Sequence, residues 1–211
     1  MRVLILGATG LVGSRVLDLM LQDSAVEKVY LVSRRSSGVE HQKIEECIAP
    51  LSKMSKFDQA FNVDICFCCL GTTIKKAGSK SAFKEIDYDL PLEAAKLCKL
   101  NGVNKFVLIS ALGADSNSFV FYNKTKGEVE DSISKLGLET FYVVRPSLIV
   151  GKREERRPGE ALAMIGFKML DPLFFGPIKK YRGSKVEDIA KLMVSLAKGE
   201  DFQTAIEFEK L

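Results

Sequence analysis

The sequence predicts an α/β fold built on a doubly wound parallel sheet with helices on both faces. Three observations carry that expectation. Short apolar runs of β type alternate with helical spacing through the first two thirds of the chain. The interior runs are apolar almost throughout, as strands covered on both faces require. Parallel neighbours also need long crossover connections, which helices between strands supply.

Each element can be justified in turn. Residues 3–6 form a short buried-type strand. Residues 11–21 follow, with Val12, Val16, Leu17, Met20 and Leu21 at helical spacing. A second strand is expected over 29–32, and a third, weakly patterned, over 43–49. The run 63–70 reads as a strand stopped by Gly71. Residues 90–100 read as a helix ended by Asn101 and Gly102, which tolerate the left-handed conformation. The next strand covers 105–110, the next helix 122–136 up to Gly137, and a further strand 139–144 stops before Pro146.

After about residue 150 the pattern changes. A charged run at 152–157 passes through Pro158 and Gly159 into an apolar helix at 160–170, followed by breaks at Asp171-Pro172 and Gly176-Pro177. A final helix is expected at 185–198 and a last strand near 204–208. No internal repeat, low-complexity linker or second core is visible. A single domain over 1–211 follows, with 151–211 supplying a small cap.

Composition narrows the partners. The 31 basic residues against 27 acidic give a net charge of +4. They are scattered rather than gathered on one stretch, so nucleic-acid binding is not implied. The longest uncharged apolar stretch, 65–74, is about half the ~20 residues of a membrane-spanning helix. The first apolar run, ending at Gly7, is too short for a signal-peptide core. Cys47, Cys66, Cys68, Cys69 and Cys98 are odd in number and lack paired CxxC spacing. With His41 as the single histidine, a metal site is not expected. Buried reduced thiols in a soluble cytoplasmic protein, monomer or homodimer, are the reading.

Chemistry concentrates in two places. Gly7-Ala-Thr9-Gly10-Leu11-Val12-Gly13 lies where the first strand becomes the first helix. Gly7 permits the tight turn, Gly10 lets the backbone approach a pyrophosphate, and Gly13 packs helix on strand, the pattern of a dinucleotide site. An NAD site normally carries an acid some 20 residues past these glycines, at the end of the second strand. Here that place reads Ser33-Arg34-Arg35, and a guanidinium can bind a ribose 2′-phosphate that a carboxylate would repel. NADP(H) is therefore expected over NAD(H). Leu70, Gly71 and Thr72 end the fourth strand on the edge where such folds bind ligands.

The second place is Tyr122-Asn-Lys-Thr-Lys126, which opens a helix with Tyr122 and Lys126 on one face. Ser110 ends the strand before it. The ammonium would favour the phenolate, Tyr122 would exchange a proton with a carbonyl or alcohol oxygen, and Ser110 would orient that oxygen. Lys124 points to another face.

These residues resemble the short-chain dehydrogenase/reductase superfamily: GATGLVG has the spacing of its extended and atypical members, and YNKTK matches its Tyr-x-x-x-Lys pair. The chain is most similar to the atypical branch of Tat-interacting-protein-like oxidoreductases, through CCLGTTIKKAG at 68–78, LGADSNSFVFYNKTKGEVE at 112–130 and VRPSLIVGKREERRPGE at 144–160. The resemblance implies a Rossmann-type fold and NADP(H) held by Gly7, Thr9, Gly10, Leu11, Val12, Arg34, Leu70, Gly71, Tyr122 and Lys126. It also implies contacts near the nicotinamide from Pro146, Ser147 and Leu148. Where relatives often carry two serines, this chain reads Ser110-Ala111.

Two functions follow as expectations. One is an NADP(H)-dependent oxidoreductase acting on a small-molecule substrate, a small or apolar carbonyl or alcohol. The other is an NADP(H)-binding regulator with little turnover, which Ala111 would explain. A nucleotide-sugar epimerase shares the motifs but generally needs a larger C-terminal region than the roughly 60 residues available here. The apolar stretch 159–176 reads as packing for the cap, and Arg153, Arg156 and Arg157 as an exposed charged loop.

Overall fold

The computed structural model describes residues 1–150 and 183–211. Its strands are β1 (Arg2–Leu6), β2 (Lys28–Ser33), β3 (Ile44–Ile48), β4 (Ile65–Cys68), β5 (Lys105–Ile109), β6 (Thr140–Arg145), β7 (Ile149–Val150), β8 (Ser184–Lys185) and β9 (Glu207–Lys210). Its α-helices are α1 (Leu11–Gln22), α2 (Ile74–Ala77), α3 (Lys80–Lys84), α4 (Leu90–Leu100), α5 (Phe121–Ser134) and α6 (Val186–Lys198). One sheet runs β3-β2-β1-β4-β5-β6-β9, parallel throughout except that β9 lies antiparallel on β6. β7 and β8 make a small parallel pair of their own.

Strand alternation sorts the core onto two faces. Leu4, Leu6, Cys66 and Cys68 join one cluster with Ala94, Ala95, Val129 and Ile133 from α4 and α5. Val3, Ile5, Ile65 and Phe67 join the other with Val16, Leu17, Ile189 and Met193 from α1 and α6. Phe61, Phe67, Phe83, Phe106 and Phe141 are fully buried. Each such ring contributes about 1.5–3 kcal/mol through burial. The helix expected at 185–198 forms as α6 and packs beside α1, so it belongs to the second helical layer of the main sheet. Glu187 and Asp188 in its first turn and Lys198 in its last suit the helix dipole.

Three elements depart from their sequence outline. The weakly patterned third strand forms, and its half-exposed residues follow from its edge position beside β2 alone. The last strand forms at Glu207–Lys210, because pairing of Tyr142 with Lys210 and Arg145 with Glu207 sets its register. The stretch before α4 holds α2, α3 and a π-helical segment, Glu85–Asp89, for which no element was expected. The charged run at 152–157, the apolar helix at 160–170, the breaks at 171–172 and 176–177 and the three arginines fall outside the described residues.

Cys66, Cys68 and Cys98 are fully buried and unpaired. Burial pushes the Cys68 thiol up to about 12 and that of Cys66 well above its usual value. Iodoacetamide should therefore modify half-buried Cys47 in the folded protein well before these three, and all of them once the chain is denatured. Peptide mass mapping reads the order. Early labelling of Cys68 would contradict the packing.

Candidate functional site

Six parallel strands deliver their C-terminal ends to one edge, and the expected site residues gather there. The turn after β1 is held by two backbone approaches that no side chain could enter. Gly7 has φ +85°, and a Cβ on it would lie 2.7 Å from the Cys69 carbonyl oxygen. A Cβ on Gly13 would lie 2.2 Å from the Gly7 carbonyl oxygen. The Gly10 amide donates to that same oxygen at 2.9 Å. Gly10 caps α1 with no side chain bound to the helix end, and its first turn carries no acid. The positive end of the helix is thus left for an anion, and the donor set fits a dinucleotide pyrophosphate. Thr9 is exposed, Leu11 half-buried and Val12 buried.

β2 ends at Ser33, whose hydroxyl donates to the Arg35 carbonyl at 2.5 Å. Arg34 and Arg35 follow on the surface, and neither guanidinium pairs with a carboxylate among the described residues. After β4, Leu70 is buried, Gly71 is exposed, and the Thr72 amide donates to Asp87 Oδ2 at 2.9 Å. After β6, the carbonyl of buried Pro146 accepts from the Leu112 amide at 2.9 Å. The Ser147 amide donates to Ser184 Oγ at 3.2 Å, and Leu148 is half-exposed.

Tyr122 and Lys126 are one turn apart on α5. The Tyr122 ring tilts against Phe83 with centroids 5.4 Å apart. Lys126 is buried, and its Nζ lies 2.7 Å from Asp87 Oδ1. Burial alone would discharge this lysine. The Asp87 carboxylate, with Tyr122 beside it, outweighs that and holds the ammonium above its ordinary pKa. Burial pushes Tyr122 up; Lys126 pulls it down and Asp87 pushes it up again, so the net is upward. At neutral pH the phenol keeps its proton.

Ser110 is buried, and its hydroxyl donates to Glu130 Oε1. Glu130 in turn takes a forked contact from Arg145, at 2.7 Å from Nη2 and 3.1 Å from Nε to Oε2. Arg145 Nη1 reaches on to Glu209 at 2.9 Å. The Ser110 proton is therefore committed inside a buried polar network, and its neighbour Ala111 offers no hydroxyl.

The family model described as semialdehyde dehydrogenase, NAD binding domain, matches residues 2–86. Protein HTATIP2 of Rattus norvegicus is 38% identical over 165 residues, which cover 76% of this chain and 68% of that protein. "Protein FMP52, mitochondrial" of Candida albicans is 39% identical over 162 residues, covering 74% and 70%. The chain belongs to this family, an atypical branch of the short-chain dehydrogenase/reductases. The crystal structure of Bordetella bronchiseptica WbmH in complex with NAD+ matches with a TM-score of 0.71 at 18% identity, covering 94% of this chain and 72% of that one. Pal from Bacillus thuringiensis matches at 0.70 with 19% identity, covering 100% and 80%. Such identities show a shared Rossmann-like fold.

As an atypical short-chain dehydrogenase/reductase the chain has an NAD(P)-binding oxidoreductase fold, and a nicotinamide cofactor is supported by the family model and by the NAD complex among its structural neighbours. The expectation of a cytoplasmic protein is corrected by the fungal relatives, which are named mitochondrial. Among the described residues no helix is long and apolar enough to cross a membrane.

Sequence reasoning missed four residues in this short-chain dehydrogenase/reductase site: Asp87, Gly127, Glu130 and Arg145. Glu130 had a signal, since it lies four residues beyond Lys126 and shares its helix face. Asp87 and Arg145 had none, because their partners are distant in sequence. Gly127 allows α5 to touch the preceding loop: a Cβ there would sit 2.1 Å from the Ser116 amide nitrogen.

Proposed function

We propose that this protein is an NADP(H)-dependent oxidoreductase that transfers hydride to a small or apolar carbonyl, or from the corresponding alcohol. The observation that carries the reading is Tyr122 and Lys126 stacked on one face of α5, with the phenol protonated and the ammonium buried beside it. The bound dinucleotide would supply the hydride. Tyr122 would donate its proton to the carbonyl oxygen, giving an alcohol, and would take it back in the reverse direction. Lys126 has protons beyond the one facing Asp87, and these would hold the nicotinamide ribose.

The cofactor would lie along the strand ends, against Gly7, Thr9, Gly10, Leu11, Val12 and Gly13, then Leu70, Gly71 and Thr72, then Pro146, Ser147 and Leu148. Ser33, Arg34 and Arg35 would take the adenosine ribose, and the two unpaired guanidinium groups support a 2′-phosphate there. Ser110 would orient the substrate oxygen only after its hydroxyl turns away from Glu130. A mitochondrial site of action is supported by the names of the fungal relatives.

The test is NADPH oxidation against a panel of aldehydes and ketones, with NADH in parallel. Turnover confined to NADPH supports the reading; no turnover with any carbonyl overturns it. Replacing both Arg34 and Arg35 with alanine should weaken NADPH binding by roughly 10- to 100-fold, from hydrogen bonds to charge worth about 1.5–3 kcal/mol. NADH binding should be unchanged. Fluorescence titration of each dinucleotide reads the difference.

A second reading, an NADP(H)-bound regulator without turnover, is favoured by one feature: the Ser110 proton is held by Glu130 and Ala111 carries no hydroxyl. It predicts tight NADPH binding and no consumption of NADPH in the same panel.

A further inference from the structure

Asp87 is buried, and its two carboxylate oxygens face different elements. Oδ1 lies 2.7 Å from Lys126 Nζ on α5. Oδ2 accepts the Thr72 amide at 2.9 Å, directly after Gly71. A Cβ on Gly71 would stand 3.4 Å from Oδ1 and 3.7 Å from Lys126 Nζ, so the glycine backbone packs closely over the ion pair. Asp87 belongs to the π-helical segment Glu85–Asp89, a geometry that often marks functional positions. Phe83, four residues earlier, carries the Tyr122 ring. The pairs Phe83–Tyr122 and Asp87–Lys126 thus repeat one contact a turn apart.

We propose that Asp87 is a positioning residue for the proton donor: its carboxylate fixes the Lys126 ammonium, ties it to the strand end at Gly71 and Thr72, and offsets its charge so that Tyr122 works as an acid. This rests on the oxidoreductase reading for its biological meaning, but its geometry stands apart from any substrate. An unpartnered ammonium beside a buried phenol would favour the phenolate. A carboxylate on the far side of that ammonium cancels much of its field. The groups that face the phenol are Lys126 from its own helix and Asp87 from the π-helical segment. Lys126 also faces the protonated Cys68 thiol of β4, and the Lys80 ammonium of α3 stands over the neighbouring Phe121 ring at 5.1 Å. Asp87 is the carboxylate in this set. The result is a site set for carbonyl reduction, in which the proton leaves Tyr122 for the carbonyl oxygen as hydride reaches carbon.

The experiment is a tyrosinate absorbance titration of the full chain without cofactor, with the same curve from Tyr122→Phe in each background subtracted to isolate Tyr122. Asp87→Asn should lower the Tyr122 midpoint by about one pH unit or more, and Asp87→Glu should largely restore it. An Asp87→Asn protein that is folded by circular dichroism and keeps the original midpoint overturns the proposal. Because Asp87→Asn leaves a buried ammonium alone, it can unfold the chain. Lys126→Gln then supplies the test from the other side, since the remaining carboxylate should raise the midpoint, and an unmoved midpoint there is equally fatal. The titration uses no substrate. A protein that shows these shifts but oxidises NADPH with no carbonyl would sink the oxidoreductase reading and leave the role of Asp87 intact.

Discussion

Tyr122→Phe should lower turnover by about 10²- to 10⁴-fold, the usual worth of a positioned proton donor, and leave NADPH affinity essentially unchanged. Phenylalanine keeps the ring that rests on Phe83 and removes only the hydroxyl, so the fold is preserved. Steady-state NADPH oxidation and fluorescence titration read the two quantities separately. The pH profile adds a check. Because burial and Asp87 hold the proton on Tyr122, reduction by the parent protein should stay level through neutrality and decline only above the ordinary tyrosine value of ~10. A decline centred near neutrality would assign the proton to another group. Undiminished turnover in the phenylalanine variant would remove Tyr122 from the chemistry.

The largest expected structural effect belongs to Gly127→Ala. The added methyl would meet the Ser116 amide nitrogen at 2.1 Å and the Asp115 carbonyl carbon at 2.3 Å, both backbone atoms with no rotamer to escape into. Either α5 moves or the loop ahead of it does, and Tyr122 and Lys126 ride on α5. A cost of about 3 kcal/mol is expected for forced overpacking of this kind. For a chain of this size that lowers Tm by roughly 6–12 °C. Gly78→Ala is the control: its φ of +84° carries backbone strain, but nothing lies within 4 Å of the new methyl. Scanning calorimetry of the two variants separates steric conflict from strain, and equal losses would refute the contact.

What could be read from the residues in advance was what is local. The glycine turn and the Tyr122–Lys126 pair each sit inside one short window, where spacing alone fixes geometry. The buried strands 3–6 and 105–110 declared themselves by unbroken apolar character, as strands covered on both faces do. Asp87 was illegible because in Glu85-Ile-Asp-Tyr-Asp89 it looks like one more surface charge. Only the fold places it beside a lysine 39 positions later (126 − 87). The Ser110 partner was hidden similarly, since Glu130 shares a helix face with Tyr122 and Lys126 while Ser110 reaches it from β5. The edge strands were weakest of all. β3 and β9 have hydrogen-bonding neighbours on one side only and carry little apolar pattern to announce them.

Those two borders have a bearing on how molecules of this protein meet each other. An exposed strand offers unpaired amide and carbonyl groups to any chain that drifts alongside, the usual starting point of ordered aggregation. Here β9 shields the flank of β6, whose Tyr142, Val143 and Val144 would otherwise stand open. The new rim carries Glu207 and Glu209, and the opposite rim carries Glu45 and Glu46 on β3. Two copies joining rim to rim would set glutamates against glutamates, a repulsive arrangement across strands. The sheet is thereby guarded against self-stacking at both ends by the same device, placed on the strands whose sequences gave the least sign of being strands.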